Sequence, residues 1–444
     1  MTRPATERRR LPWRDPLAVA CGLRDCDGAL ALLSDGGPLG RWSFVAADPD
    51  QVHVGPLPAG LARLADPAWA RQSVGLIAYD AGARPATGPR EPVWPDLMLA
   101  RYPAILAFDH LSREATAVGR GDDPAAAAAA ATRAEGWLSA AVDPPRPAPP
   151  ALAFEPEASE TDYRAAVADV VDRIAAGELF QANIARAWSG LLRPDADPFD
   201  VLLRLAGREA AYGAFWRLGD RAVVSNSPEL FLTFDPADRR VETRPIKGTR
   251  PRDPDPDRDA ALAAELAASA KDQAENLMIV DLMRNDLARA AAPGSVRVER
   301  LFEVERLPTV HHLVSTVAAT ARPEVGPAEL LAATFPPGSI TGAPKHQAMK
   351  VIAGHEPPRG PWCGSLFHLD DGRLTASVLI RTAAFVREGP GWRFRTLAGA
   401  GVVADSVPEL ELAETEAKIR ALREALARPQ QSSQVVLSDV RGRR

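Results

Sequence analysis

Short apolar segments with strand-like alternation occur in runs along this chain, and helical segments lie between the runs. Before residue 143 the strand-like segments are Ala29–Leu33, Trp42–Ala46, Val74–Ala78, Ala104–Phe108 and Ala115–Val118. After it they are residues 179–188, Ala222–Ser225, Leu230–Phe234, Trp362–Leu369, Leu374–Val386 and Trp392–Ala398. Because these strands do not alternate one by one with helices, the pattern favours an α+β fold with antiparallel sheets over a doubly wound parallel sheet.

Helical periodicity occupies the remaining apolar segments. One helix begins at Ser159 or Thr161, either of which can cap it, and ends at Gly177. The other predicted helices are an alanine-rich one that includes residues 125–131 and ends near Ala141, and Arg258–Ala268, Gln273–Ala288, Pro327–Ala333, Pro344–Ile352 and Pro408–Leu426.

A proline-rich segment divides the chain. Residues 143–156 contain six prolines, and proline lacks the amide hydrogen that a helix or central strand needs. We therefore predict a strand-rich N-terminal lobe over residues 1–142, a semi-rigid linker or loop over 143–156, a larger region over 157–428 and a disordered tail over 429–444.

Charge and cysteine content exclude several classes of protein. The chain has 53 Lys and Arg against 58 Asp and Glu, a net charge of −5, which is not the basic footprint of a nucleic-acid binder. Its three cysteines are too few and too badly spaced for a disulfide framework or a four-ligand zinc site. No apolar run approaches the ~20 residues of a membrane span, and no apolar segment follows the N-terminal arginines as in a secretory signal. We expect a soluble, cytoplasmic protein with neither nucleic acid nor membrane as partner.

Two predicted helices carry paired carboxylates on one face. Asp272 and Glu275 lie three residues apart on the first helix, and Glu411 and Glu414 do so on the second, with Lys418 one turn further. Hard oxygen ligands of this kind suit Mg²⁺. A solvated acidic face on each helix is the simpler interpretation.

Three glycine-rich loops lie beside basic residues, at 244–252, 335–352 and 397–406. Loops of this kind expose backbone N–H groups, and helix N-termini attract anions, so the three loops indicate a substrate that bears carboxylates. Lys247 lies in the first loop, where a surface ion pair is its plainer role. His312 is equally consistent with a packed core histidine, and Glu229 with a turn residue.

Nine segments of the second region carry a family resemblance. They are GELFQANIAR, SNSPELFLTF, RPIKGTRPR, AENLMIVDLMRND, HHLVS, FPPGSITGAPK, GPWCGSLFHL, SVLIRTA and AGAGVVADSVPELELAETEAK. In this order they resemble the chorismate-utilising enzymes, a family that includes anthranilate synthase component I, aminodeoxychorismate synthase component I, isochorismate synthase and salicylate synthase. The resemblance implies a large α/β sandwich of two mostly antiparallel sheets with outer helices, and it makes residues 157–428 the chorismate-binding catalytic region.

Two positions distinguish branches within this family. Where the isochorismate and salicylate synthases carry a lysine that activates water, this chain has Gln181, as the ammonia-using members do. Where anthranilate synthases have alanine, this chain has Lys247, a mark of the aminodeoxychorismate synthase branch. The resemblance therefore implies replacement of the C4 hydroxyl of chorismate by an amino group, giving 4-amino-4-deoxychorismate, the precursor of p-aminobenzoate and folate.

The resemblance also assigns catalytic roles. Glu229 matches the general acid that protonates the leaving hydroxyl, and Lys247 matches a nucleophile that forms a covalent intermediate at C2. The metal-binding positions are Glu275 and Glu414, supported by Asp272 and Glu411, and the implied cofactor is Mg²⁺.

Chorismate is a dianion. The remaining matched positions supply positive charges, hydrogen-bond donors and pocket-lining side chains for its binding. Arg381 and Lys418 resemble the family's carboxylate clamps, and Gly399 supplies a backbone N–H. Thr249 and His312 match pocket-lining positions. Trp362 stands where many members have tyrosine, so an aromatic wall is kept while the phenol hydroxyl is lost.

The sequence shows no cysteine in the setting of a glutaminase nucleophile. The resemblance therefore implies that ammonia comes from a separate glutamine amidotransferase subunit or free from solution. Two alternatives are anthranilate synthase component I, which places ammonia at C2, and a non-catalytic subunit that only binds a glutaminase.

Overall fold

Two antiparallel sheets, each built from both halves of the chain, form the framework of the protein. The structure is a computed structural model that describes residues 4–37, 39–208, 210–307 and 310–427. The strands up to residue 218 are β1 (Ala5–Pro12), β2 (Leu30–Leu33), β3 (Trp42–Ala46), β4 (Gln51–Gly55), β5 (Gln72–Ile77), β6 (Leu97–Arg101), β7 (Ala104–Asp109), β8 (Glu114–Gly121), β9 (Glu155–Pro156), β10 (Gln181–Leu191) and β11 (Tyr212–Leu218). The later strands are β12 (Arg221–Ser227), β13 (Leu230–Phe234), β14 (Arg240–Thr243), β15 (Ile246–Pro251), β16 (Arg297–Arg306), β17 (Val310–Thr320), β18 (Gly342–Ala343), β19 (Ser365–Asp370), β20 (Arg373–Val378), β21 (Thr382–Glu388) and β22 (Gly391–Val402).

The helices lie mainly outside these sheets. They are α1 (Pro16–Gly22), α2 (Leu57–Arg63), α3 (Pro67–Arg71), α4 (Tyr79–Thr87), α5 (Pro124–Ser139), α6 (Glu160–Ala175), α7 (Pro198–Leu205), α8 (Pro256–Ala268), α9 (Ala270–Ala288), α10 (Pro327–Thr334), α11 (Lys345–His355) and α12 (Pro408–Leu426). Within the described residues, none of them is long and apolar enough to cross a membrane.

The strand order shows how the two halves interleave. The larger sheet runs β1-β8-β7-β3-β2-β11-β12-β21-β22-β10-β18, with β9 beside β10. The smaller sheet runs β15-β17-β14-β13-β20-β19-β5-β6-β4, with β16 beside β17. The pairings β2–β11 and β5–β19 join strands from before and after the proline-rich segment. That segment therefore connects strands of shared sheets, while residues 429–444 lie outside the described part of the chain.

The core fills the space between the two sheets. Val74 and Leu76 of the smaller sheet belong to the same buried cluster as Leu30 and Phe108 of the larger one. A second cluster places Ile279 and neighbouring residues of α9 against the outer face of the smaller sheet. The predicted α+β class and the sandwich of two antiparallel sheets with outer helices are confirmed.

Side-chain caps position two helices near the loops that the sequence analysis singled out. Ser159 and Asp162 form a reciprocal capping box at the start of α6, with N···O distances of 3.1 and 3.2 Å. The hydroxyl of Ser269 accepts the N–H of Asp272 at 3.3 Å, which starts the acidic helix α9.

One predicted strand is wrong, and one begins later than predicted. The apolar run Leu374–Val386 is two strands, because the chain leaves the smaller sheet after Val378 and enters the larger one at Thr382, with Arg381 at φ +50°. The strand predicted from Trp362 begins at Ser365, because Cys363 adopts φ +63° in a turn. Both runs stay apolar across these turns since the turns are buried, so periodicity alone does not reveal the breaks.

Candidate active site

Lys247 lies on β15, the edge strand of the smaller sheet, where a register shift interrupts the pairing with β17. Its ammonium group makes no hydrogen bond or ion pair with any described residue. Burial lowers the pKa of Lys247, and the nearby Glu275 carboxylate opposes that shift. Burial therefore favours the neutral form of this amine more than water does.

Glu229 lies between β12 and β13 and is only 5% exposed. Its backbone is held on both sides, since its N–H donates to the Ser227 hydroxyl at 3.2 Å and its carbonyl accepts from Val378 at 3.1 Å. Burial raises the pKa of the Glu229 carboxyl to about 7, against the opposing effects of a Ser339 hydrogen bond and the Lys247 charge. A carboxyl with this pKa keeps a proton to donate near neutrality.

Gly401 of β22 leaves space beside the Lys247 amine. A Cβ at Gly401 would lie 2.7 Å from Nε2 of Gln181 and 3.3 Å from Nζ of Lys247. Gln181 is fully buried, and neither polar atom of its carboxamide has a partner among the described residues. The Gln181 amide and the Lys247 amine therefore share one cavity, kept open by the missing side chain of Gly401.

Carboxylates from α9 and α12 lie on the acidic side of this cavity. Burial raises the pKa of Glu275, and the charges of Glu414 and Asp272 raise it further against Lys247. Burial also raises the pKa of Glu411.

Glu414 titrates in the opposite direction. Although burial acts to raise its pKa, an ion pair with Lys418 at 2.6 Å holds the pKa below the usual value. Lys418 also donates to the Gly399 carbonyl at 2.9 Å, so it ties helix α12 to strand β22.

This carboxylate pair fits a divalent cation. Among the described residues, no three His, Cys, Asp or Glu side chains gather closely enough to form a complete metal cage. Mg²⁺ rarely uses such a cage, because it keeps several waters and takes one or two carboxylates together with oxygens of the substrate. Glu275 and Glu414, which repel each other from separate helices, match that requirement. Asp272 lies one turn before Glu275 on α9 and is paired with Arg250 at 3.2 Å.

A second group of predicted residues surrounds Arg381. Burial lowers the pKa of this guanidinium, and no carboxylate among the described residues pairs with it. Burial, followed by the Arg381 charge, lowers the pKa of His312 to about 4, so the ring is neutral near pH 7. The Nδ1 atom of His312 lies 2.9 Å from the Thr249 hydroxyl. A partly buried cation that has no carboxylate partner among the described residues, beside a neutral imidazole, is suited to receive a carboxylate.

Trp362 forms an aromatic wall next to Gly399. A Cβ at Gly399 would lie 3.0 Å from the Trp362 ring, and the Arg359 guanidinium stacks on the ring face at 5.0 Å. The buried indole N–H has no partner among the described residues.

The structure adds three residues that the sequence analysis did not single out. Ser339, in the loop before α11, lies close enough to Glu229 to lower the pKa of its carboxyl. Asn183 lies two residues after Gln181, and Arg359 holds the surrounding backbone. Strand alternation would have placed Asn183 on the same face as Gln181, whereas nothing in the sequence places Ser339 beside Glu229.

Comparisons with known proteins identify the family of this chain. A family model described as chorismate binding enzyme matches residues 48–424. Aminodeoxychorismate synthase component 1 from Klebsiella aerogenes is 40% identical over 364 residues, which are 79% of this chain and 76% of the relative. Anthranilate synthase component 1 from Thermus thermophilus is 38% identical over 366 residues, 80% of this chain and 77% of the relative.

A solved structure is similar as well. Anthranilate synthase component I from Streptococcus pneumoniae superimposes with a TM-score of 0.73 at 25% identity, covering 86% of this chain and 92% of that one. The chain therefore belongs to the family of chorismate binding enzymes.

Proposed function

We propose that the chain is an aminodeoxychorismate synthase component I, which converts chorismate and ammonia to 4-amino-4-deoxychorismate for p-aminobenzoate and folate synthesis. The observation that carries this proposal is the unpaired Lys247 amine, which shares a cavity with Gln181 between Glu229 and Glu275. The relative from Klebsiella aerogenes bears this name.

The first half of the reaction removes the hydroxyl. Neutral Lys247 adds through Nζ to C2 of chorismate, the two ring double bonds shift by one position, and the C–O bond at C4 breaks. Glu229 donates its proton to the departing oxygen, because hydroxide is a poor leaving group. Water leaves, and the lysine stays bound to C2 through a C–N bond.

The second half delivers the amine. Ammonia attacks C4, the double bonds return to their original positions, and the C2–N bond to Lys247 breaks. The proton that ammonia loses is taken up by the Glu229 carboxylate, which restores the acid. The second substitution reverses the shift of the double bonds that the first one caused. Nitrogen therefore ends at C4, the carbon that carried the hydroxyl.

A magnesium ion completes the site in this proposal. Glu275 and Glu414 would hold it, with Glu411 and Asp272 supporting them, and when bound it supplies a positive charge for the ring carboxylate of the substrate. Arg381 and Lys418 provide cations for the second carboxylate. Removing divalent ions with EDTA should abolish turnover, and added Mg²⁺ should restore it in the wild type but much less in Glu275→Gln.

The ammonia source in this proposal is a separate glutamine amidotransferase subunit, and the reaction takes place in the cytoplasm. We expect the purified chain to work with ammonium alone, and to use glutamine only when a glutaminase subunit is added. Turnover of glutamine by the chain on its own would contradict this part of the proposal.

Product identity tests the proposal. We would supply chorismate, Mg²⁺ and ammonium and follow the products by chromatography and fluorescence. A non-aromatic 4-amino product is expected, which becomes p-aminobenzoate only when a lyase is added. Direct appearance of fluorescent anthranilate would assign the chain to the other branch of the family.

Two variants separate an enzyme from a silent glutaminase-binding subunit. Lys247→Ala and Glu229→Gln should lower turnover by about a thousandfold or more, because each removes a group that acts on the reacting atoms. Complex formation with a glutaminase should be unchanged in both. Full formation of 4-amino product by Lys247→Ala would exclude the covalent route.

A further inference from the structure

The carboxamide oxygen of Asn183 is a buried polar atom that has no partner among the described residues. Asn183 is 8% exposed, and its side-chain oxygen accepts no hydrogen bond from any described residue. Buried acceptors in native proteins are nearly always satisfied, since an unpaired one costs about 1–3 kcal/mol. An acceptor left open in a substrate cavity is therefore expected to be paired when the ligand is bound.

The backbone on either side of this group is firmly held. The N–H of Asn183 donates to the Thr341 carbonyl at 2.9 Å, and its carbonyl accepts from the Arg359 guanidinium at 2.6 Å. Arg359 is itself anchored by two bonds to Glu356, at 2.8 and 2.9 Å. These contacts hold the backbone of Asn183 in place, while its side-chain oxygen has no partner among the described residues.

The oxygen lies on the side of β22 where Gly399 and Gly401 leave space. A Cβ at Gly399 would lie 2.5 Å from the Asn183 oxygen and 3.0 Å from the Trp362 ring. Asn183 and Gln181 are two residues apart on β10 and so face the same side of the sheet. Gln181 in turn borders the same space as Lys247.

The chemistry of the ligand limits what this acceptor can bind. Chorismate as a dianion has carboxylates, an ether oxygen and a single O–H group, the hydroxyl at C4. The proposed product has N–H groups only at the same carbon. An acceptor that faces the substrate therefore has one donor position to pair with.

We propose that Asn183 is a specificity-determining residue whose carboxamide oxygen accepts a hydrogen bond from the C4 substituent of the ligand. In the substrate this donor is the C4 hydroxyl, and in the product it is the new amine. The identification of the amine rests on the proposed function, whereas the contact with the hydroxyl requires only that chorismate binds.

The test compares the affinities of two ligands for the protein with Asn183 and for the protein with Asn183→Leu, as a thermodynamic double-mutant cycle does for two residues. All proteins carry Lys247→Ala, so that neither ligand reacts, and Mg²⁺ is present throughout. Affinities for chorismate and for an analogue with hydrogen in place of the C4 hydroxyl are measured by titration calorimetry, with and without Asn183→Leu. With Asn183 present, chorismate should bind about tenfold more tightly than the analogue.

The expected result in Asn183→Leu is loss of this preference. Chorismate binding should weaken by about tenfold while analogue binding stays within about twofold. An unchanged preference, or equal weakening of both ligands, would overturn the proposal. Asn285→Leu is the matched control, because Asn285 is exposed and its amide contacts only the carbonyl of Asp281 in its own helix.

Thermal unfolding separates this role from a structural one. Leucine is close to asparagine in shape, and replacing an unpaired buried acceptor by an apolar group should leave the melting temperature equal or higher. Should Asn183→Leu fail to fold, Asn183→Ala provides the same cycle. The proposed function is judged by product identity and this proposal by ligand preference, so the failure of one is distinguishable from the failure of the other.

Discussion

Burial acts on Lys247 and Glu229 in the direction that the role proposed for each of them needs. It lowers the pKa of Lys247, which attacks as the neutral amine in the proposed reaction, and raises that of Glu229 to about 7, which donates a proton in that reaction. Each charge opposes the shift of the other because an ammonium and a carboxylate stabilise one another. The balance between burial and the attraction of the two charges sets the pH range in which the proposed reaction runs.

A pH profile follows from these shifts. The rate should rise with pH as Lys247 loses its proton, and it should fall on the alkaline side, because Glu229, with a pKa of about 7, no longer carries the proton to donate. In Glu229→Gln the residual rate should show the rise without the alkaline fall. The measurement is initial rate against pH at a constant concentration of free NH3, and an alkaline fall of equal size in the variant would contradict the assignment of Glu229.

Gly401 offers a direct test of the shared cavity. In Gly401→Ala the new methyl group would meet the Gln181 amide at 2.7 Å and the Lys247 amine at 3.3 Å. Both contacts are with ends of flexible side chains, so the fold should survive while the reacting groups are displaced. We expect turnover to fall by about a hundredfold with little change in melting temperature.

Gly136→Ala is the matched control for this substitution. A Cβ at Gly136 on helix α5 would meet nothing within 4 Å, and alanine is the better helix former by about 0.5–1 kcal/mol. Activity should therefore be unchanged and stability equal or slightly higher. Normal turnover in Gly401→Ala would mean that Lys247 does not work from this cavity.

At the scale of elements, one lysine fastens the loop that carries Ser339. Lys345, the first residue of α11, donates to Asp286 of α9 at 2.6 Å and to the carbonyls of Thr334 and Pro336 at 3.0 and 2.7 Å. The ion pair is buried, and burial raises the pKa of Asp286 and lowers that of Lys345. These contacts hold helix α9, helix α11 and the loop that directly precedes α11 in one arrangement.

Replacing only one partner of this ion pair should destabilise the protein more than replacing both. Lys345→Met leaves a buried carboxylate without its partner, and the free energy of unfolding should drop by about 3–5 kcal/mol. The double variant Lys345→Met with Asp286→Leu removes both charges and should recover a large part of that loss. Urea denaturation of the three proteins measures it, and equal losses in the single and double variants would show that the charges are not coupled.

At the scale of the whole molecule, the sheets make the two halves of the chain dependent on one another. The larger sheet joins them at β2–β11 and the smaller one at β5–β19. A fragment that lacks either half would expose unpaired edge strands and half of the shared core.

Splitting the chain at the proline-rich segment tests this dependence. Residues 1–142 and 143–444 expressed separately should each aggregate or unfold without a cooperative transition. Expressed together they should associate and regain activity, because both sheets can then close. Circular dichroism melts and gel filtration report the outcome, and a fragment 143–444 that folds and reacts alone would contradict the shared core.

The sequence by itself determined part of the secondary structure and the family. Helix α12 and strand β13 have the bounds that apolar periodicity and proline positions predict, because these signals act over a few residues. The family also followed from local segments, and the comparisons confirm it. The assignments of Lys247, Glu229 and the acidic helices as reacting and metal-binding groups stay predictions.

Tertiary structure alone decided which of these groups meet. Lys247 on β15, Glu229 after β12 and Glu414 on α12 are remote in sequence, and only the folded sheets bring them within electrostatic reach. Their proton affinities depend on burial and on distances between charges, neither of which spacing along a chain specifies. The crossover at Arg381 and the open acceptor of Asn183 arise in the same way, since each reflects what lies opposite it in space rather than beside it in sequence.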